Sequence, residues 1–261
     1  MLELKDRLIL FFKSFFLQSV FNYEKFQNIG LLFIISGFAK KIHPDREELK
    51  KFIERYNEIF NTQPYMAAFV IGNIIRMEYD KRNEKDIENI KQSLACAYAS
   101  IGDRIFWSRL RVVVAQFTFI IFIILYFCCY NFGVAEITFV SVFVPTLFYA
   151  IYTLYIRYVG FLYGWNCGGE KNCGLDKFNW NRIIRMSSRA AFFLSVVMFL
   201  LVIFLYGFYY ITSEKMIENL IYITIPFIGF FAQRYFRKDR KNIFYPVITV
   251  IVFSFVVCIF I

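Results

Sequence analysis

The sequence predicts an all-α polytopic membrane protein, with amphipathic and re-entrant helices in its N-terminal part followed by about five transmembrane helices. Three observations carry this expectation. Hydrophobic residues make up 59% of the 261 positions, and mean hydropathy is +0.50, against roughly 45–50% apolar residues in soluble domains. From residue 112 onward, apolar runs recur that are long enough to cross a hydrocarbon layer about 30 Å thick. Lys and Arg number 30 against 20 Asp and Glu, a net charge of +10, and they flank these runs instead of forming a basic stripe on a polar domain. That placement is the positive-inside bias of a membrane protein and sets nucleic acid aside as a partner. The chain divides into 1–111, which is broken and amphipathic, and 112–261, which is spanning.

Residues 1–20 carry Lys5 and Arg7 and then an apolar stretch broken by Lys13, with no small-residue cleavage site following. At 100° per residue, Glu3, Asp6, Arg7, Lys13, Ser14 and Gln18 share one side and Leu8, Phe12, Phe15 and Phe16 the other, with Lys5 off the stripe. This predicts a helix lying in the membrane interface. A short apolar run over 29–39 ends at Lys40 and Lys41. Asp45 then caps a helix, Glu48 completes a capping-box pattern, and Glu47 and Lys51 stand at i,i+4. Leu49, Phe52, Ile53, Tyr56, Ile59 and Phe60 would line its apolar face.

The segment 64–77 is apolar but, at about 14 residues, too short to span. Residues 80–91 are densely charged and belong in water. Residues 92–111 are semi-apolar and rich in small residues, with Ala95 and Ala99 spaced for close helix contact. Two short apolar arms around a polar turn read as a re-entrant hairpin, which is tolerated at membrane depth only within protein or beside a watery cavity. The spans are expected at 112–131, 135–156, 190–211, 217–232 and 243–261. The connections 157–189 and 233–242 are rich in Arg and Lys, while 131–136 and 212–215 hold one base, Lys215. The alternation places the N-terminus in the cytoplasm and the C-terminus outside. Cys167 and Cys173 share a loop on the expected cytoplasmic side and are expected as reduced thiols.

No phosphate-binding Gly-rich loop, zinc-protease pattern or nucleophile elbow occurs, and the one His, His43, sits in a turn before a helix. Three polar clusters interrupt the apolar text. They are Asn22-Tyr23-Glu24 with Gln27, Asn61-Thr62-Gln63-Pro64, and Gly102-Asp103-Arg104 followed by Phe106-Trp107. Amide, carboxylate and aromatic groups are what a sugar site requires, because hydroxyls need paired donors and acceptors and a ring face covers the C–H side. Simpler roles stay open: Asn61-Thr62 can cap a helix, and Asp103 can serve as an N-cap or a partner of Arg104.

At these clusters the chain resembles the IID components of the mannose/fructose/sorbose phosphotransferase family. The resemblance rests on SFFLQSVFNYEKFQNIG at 14–30, FNTQPYMAAFVIG at 60–72, IKQSLACAYASIGDRIFWSRLR at 90–111, and the Arg157-Tyr158-Val159-Gly160 and Tyr163-Gly164-Trp165 element. Similarity covers most of the chain, in order. It implies a multi-pass protein of the bacterial inner (plasma) membrane that binds and translocates a hexose or related sugar with a IIC membrane subunit. Cytosolic IIA and IIB phosphocarriers phosphorylate the sugar, and a higher oligomer of the IIC–IID unit is implied. Substrate-binding or gating roles pass to Asn22, Glu24, Gln27, Asn61, Gln63 and Asp103. No catalytic residue, phosphoacceptor His, metal or cofactor is expected of this subunit. The chain departs from the pattern at Gln63, where the family carries His, and at Ser108 and Val112, where it carries Gly and Pro. Without Pro at 112 the helix can continue unkinked. These departures leave a second reading, a IID-like scaffold or receptor without transport.

Overall fold

The computed structural model describes residues 3–128, 132–170 and 172–212. The expected spans 217–232 and 243–261 lie outside these residues. The described architecture is all-helical: α1 (Leu4–Lys13), α2 (Asn28–Ile42), α3 (Arg46–Tyr56), α4 (Ala67–Tyr79), α5 (Glu84–Gly102), α6 (Arg111–Cys128), α7 (Val134–Cys167) and α8 (Trp180–Thr212). A single 3-10 turn, Ser14–Phe16, follows α1. Residues 1–198 form one compact unit. Of the second unit, 199–261, the described residues 199–212 continue α8.

α1 is amphipathic as expected, but its faces are used differently. Leu10, Ser14 and Leu17 are buried against the protein, while Leu8, Phe12, Phe15 and Phe16 remain exposed as an apolar outer stripe. Asp6 reaches Lys41 of α2 at 2.8 Å, and Lys13 donates to the carbonyl of Phe33 at 3.2 Å. The polar side thus makes the protein contacts and the aromatic side is left for lipid.

α3 begins at Asp45, whose carboxylate accepts from the backbone N–H of Glu47 (3.0 Å) and Glu48 (3.2 Å). Glu48 does not close the reciprocal half of a capping box; its carboxylate lies 3.4 Å from Nδ1 of His43. The helix ends at Tyr56, so Ile59 and Phe60 fall beyond it. Only Phe52 and Tyr56 of the helical stripe are fully buried, Ile53 being exposed. No Glu47–Lys51 ion pair forms among the described residues.

The short apolar segment becomes α4, whose 13 residues give about 20 Å of helix. It is buried from Ala67 through Ile75, which explains an apolar stretch that is apolar all round. α7 crosses it at small residues: a Cβ on Gly164 would meet the carbonyl oxygen of Phe69 at 2.4 Å, and one on Gly160 would meet Cβ of Ala68 at 2.9 Å. Gly160-x-x-x-Gly164 is therefore the close helix crossing. Ala95, expected in that role, lies against the loop before α4, where its carbonyl accepts from Thr62.

α5 does not stop at Gly102-Asp103. A π-helical stretch, Asp103–Leu110, carries it into α6, giving one continuous helix over Glu84–Cys128. This helix, Val134–Cys167 and Trp180–Leu205 are the three described helices long and apolar enough to cross a membrane. Polar bonds tie α6 and the π-helical stretch to α8, from Gln116 to Ser195 at 2.6 Å and from Arg109 to Ser188. Arg157 is not in a loop but inside α7, which runs to Cys167. The expectation of reduced thiols is also corrected. Gly168 and Gly169, at φ of 47° and 86°, turn the chain back after α7, which brings the Cα atoms of Cys167 and Cys173 to 5.3 Å, and the two form a disulfide.

Candidate functional site

The site is built where two loops are zipped side by side. In the first, Asn22 closes a tight turn: its Oδ1 accepts from the Lys25 N–H at 2.7 Å, and its backbone exchanges hydrogen bonds with Phe26 at 2.9 and 3.0 Å. Phe26 takes a left-handed conformation, φ 58°, which is costly for a bulky residue and is held by these bonds. The second loop, 60–66, joins it through Gln27 N–H to Phe60 O (2.9 Å) and Phe60 N–H to Lys25 O (3.3 Å).

Side chains then lock the pair. The Gln27 amide, 2% exposed, reads the backbone of Thr62 from both ends: Nε2 donates to its carbonyl at 2.9 Å and Oε1 accepts from its N–H at 3.1 Å. Thr62 Oγ1 passes the link to α5 by donating to Ala95 O at 2.9 Å. Gln63 Oε1 accepts from the N–H groups of Tyr65 (2.7 Å) and Met66 (3.1 Å) and so holds the entry to α4. Gly102 lies flat on Gln63, where an added Cβ would stand 2.5 Å from both Cβ and Cγ. Asp103 follows directly, opening the π-helical stretch. An asparagine ladder braces the outer side, Asn22 Nδ2 to Asn28 Oδ1 and Asn28 Nδ2 to Asn57 Oδ1, both 2.8 Å.

The six sequence-predicted residues therefore divide by geometry. Gln27 is saturated. Asn22 is half-buried and engaged in the turn and the ladder. Gln63 is 2% exposed, with its carbonyl engaged but its Nε2 buried without a hydrogen-bond partner among the described residues. Glu24, Asn61 and Asp103 are exposed, and their side chains make no hydrogen bond among the described residues. Asn61 sits between the two locked residues Phe60 and Thr62, and Asp103 sits beside the glycine packed on Gln63, so these two and Gln63 belong to one assembly. Glu24 is attached to it through the Asn22 turn. Tyr23, beside Glu24, is 95% exposed. Sequence reading passed over Asn28 and Asn57 as supports. They stand 29 residues apart, with no periodicity to join them.

A second polar cluster lies between α3 and α4. Glu78 is buried and accepts from Arg55 Nη2 at 2.7 Å and Tyr56 Oη at 2.7 Å, with His43 Nε2 at 3.2 Å. Burial, followed by the Glu78 carboxylate, pushes the Tyr56 phenol well above its ordinary value, so it stays a donor. On the neighbouring surface, a hydrogen bond with Glu88 and partial burial raise the Glu58 carboxyl. The first cluster leaves Glu24, Asn61 and Asp103 exposed at a loop surface; the second is internally satisfied apart from Nε of Arg55.

The sequence profile described as PTS system mannose/fructose/sorbose family IID component matches residues 1–261. Among curated proteins, the chain is similar to the mannose-specific EIID component of the PTS system of Escherichia coli K12. Identity is 30% over 168 residues, covering 61% of this chain and 54% of that protein. It is also similar to the fructose permease IID component of Bacillus subtilis 168, 31% identical over 116 residues and covering 42% of each. The matched region thus spans about half the length of these relatives. Among solved structures, one titled only as a membrane protein superposes with TM-score 0.67 at 20% identity, over 98% of this chain and 96% of that one. The mannose transporter ManYZ in complex with microcin E492 superposes with TM-score 0.54 at 21% identity, over 99% and 96%. These superpositions show a shared membrane-protein fold. With the profile covering every residue, the chain belongs to the IID components of the mannose/fructose/sorbose phosphotransferase family.

Proposed function

We propose that this chain is the IID membrane subunit of a mannose-type sugar phosphotransferase transporter, binding a hexose or related sugar and moving it across the membrane together with a IIC subunit. Cytosolic IIA and IIB proteins phosphorylate the sugar at the inner face, on the side of the N-terminus. The observation that carries this reading is the locked double loop, in which Gln63, its Nε2 buried and without a hydrogen-bond partner among the described residues, lies two residues from the exposed Asn61 and packs under Gly102, the chain neighbour of the exposed Asp103. An amide that donates and accepts, a carboxylate that accepts and a further N–H donor suit the alternating needs of sugar hydroxyls. The exposed ring of Tyr23 can cover an apolar sugar face. Gln27, Thr62 and Asn22 have their bonding capacity engaged within the chain and act as supports that fix the others in place.

The π-helical stretch that begins at Asp103 favours the same location, since such insertions gather at functional positions. Exposed polar groups on one chain's loop surface, as at Asn61 and Asp103, suit a pocket completed by a second subunit. The reading is tested by uptake of mannose-family sugars in cells expressing the chain with its IIC, IIB and IIA partners. Asn61→Ala and Asp103→Asn, each at normal membrane level, should abolish most uptake. Undiminished uptake in both would defeat the site assignment, and failure of the chain to co-purify with a IIC subunit would favour a scaffold without transport.

A further inference from the structure

Arg157 carries a charge that the sugar site does not use. Its side chain, near the end of α7, is 5% exposed. Nη1 donates to the carbonyl of Ser14 at 2.6 Å and lies 3.0 Å from its hydroxyl. The rings of Phe15 and Tyr65 lie 4.7 and 5.6 Å from its guanidinium carbon. All these partners are neutral. No Asp or Glu comes within ion-pairing distance of Arg157 among the described residues. A carbonyl satisfies an N–H group but does not balance a full charge, and a desolvated cation calls for an anion.

The surroundings offer a place for one. Arg157 lines a cavity of about 100 Å³ together with Ser14, Gln18, Tyr65, Trp107 and Arg111. Arg111 is a second cation, its guanidinium 5.3 Å from the Trp107 ring, and it too has no carboxylate partner among the described residues. No acidic residue lines the cavity. Its volume is roughly that of three waters at about 30 Å³ each, room for one tetrahedral oxyanion. Nε and Nη2 of Arg157 make no hydrogen bond among the described residues, and an arginine fork matches two oxygens of a phosphate. Gln18 adds a neutral amide.

Arg111 stands where the apolar stretch of the long helix Glu84–Cys128 begins, and Arg157 lies towards the end of α7. A headgroup layer at the start of that apolar stretch would meet both. We propose that this cavity is an oxyanion site for a phosphate group, supplied by a phospholipid headgroup or by soluble phosphate, which balances Arg157 and pins the segment after α1, the loop before α4 and α7 together. The site shares none of the six residues assigned to the sugar and stands whether or not that assignment holds.

The test uses the full chain in a neutral maltoside detergent, with melting temperature followed at constant ionic strength. Phosphatidylglycerol, inorganic phosphate and diacylglycerol, a lipid without phosphate, are titrated in turn. A saturable rise with phosphatidylglycerol alone supports a lipid source, and a rise with inorganic phosphate supports a soluble one; diacylglycerol should give none. Arg111→Gln removes an exposed side chain and should weaken the apparent affinity about tenfold or more. Arg157→Lys, which keeps the charge and loses the fork, should do the same. Arg182→Gln removes an equal charge outside the cavity and should leave the affinity unchanged. The proposal is overturned if neither phosphate probe stabilises the protein, if diacylglycerol stabilises it equally, if Arg111→Gln has no effect, or if Arg182→Gln weakens binding as much.

Discussion

Tyr56 donates its phenolic hydrogen to the buried carboxylate of Glu78 at 2.7 Å, and its pKa is raised by burial first and by that carboxylate second. A group whose folded pKa lies above its unfolded value stabilises the fold fully below the unfolded value, near 10, and that contribution is lost as pH rises through the folded one. Thermal stability should therefore fall in alkaline buffer. Tyr56→Phe should flatten that alkaline loss while lowering stability at pH 7 by about 1–2 kcal/mol, because Glu78 keeps one donor fewer. Melting temperatures of both proteins between pH 7 and 11 check this, and parallel curves would count against it. At the same scale the sugar-site assignment rests on unequal commitments. Gln27 was legible in the sequence as a polar residue in an apolar context. That both ends of its amide are taken up by Thr62, 35 residues away, was not, because a side chain's partner is set by loops meeting in space.

The helices obey local rules where the chain is solvated and tertiary rules where it is packed. Asp45 was readable as an N-cap because the rule needs only a short side chain before a helix. Asp45→Ala should cost about 1 kcal/mol, measurable as a lowered melting temperature without loss of helical signal. Glu48 left the reciprocal bond for His43, a competition that no local pattern contains. Gly164 belongs to packing. Its missing Cβ lets α4 approach α7, and Gly164→Ala would set a methyl 2.4 Å from the Phe69 carbonyl. Separating the two helices should cost about 2–3 kcal/mol, with a matching fall in folded yield from membranes. An unchanged yield and melting point would mean that the crossing can relax. The sequence pointed to Ala95 and Ala99 for close contact, and only the fold places the crossing at Gly160 and Gly164 instead.

For the whole molecule, the alternating basic and base-poor connections predict a cytoplasmic N-terminus. In a variant with its six native cysteines replaced by serine, cysteines placed singly at Glu3 and Asp176 should react with a membrane-impermeant maleimide only after the membrane is permeabilised; labelling of intact cells at either position would reverse the orientation. The sequence by itself determined that the chain lives in lipid, that it is helical, and that its family-like polar clusters lie in the first 111 residues. These properties depend on composition, on run length against membrane thickness, and on residue order, all local or additive quantities. The tertiary structure alone decided that α5 and α6 are one helix joined through a π-helical stretch. It also decided that α4 is enclosed by protein, that Arg157 is buried without an acidic partner among the described residues, and that Cys167 meets Cys173. Each of these depends on which distant segments come into contact, and contact between segments far apart in the chain is fixed by packing the whole set of helices at once.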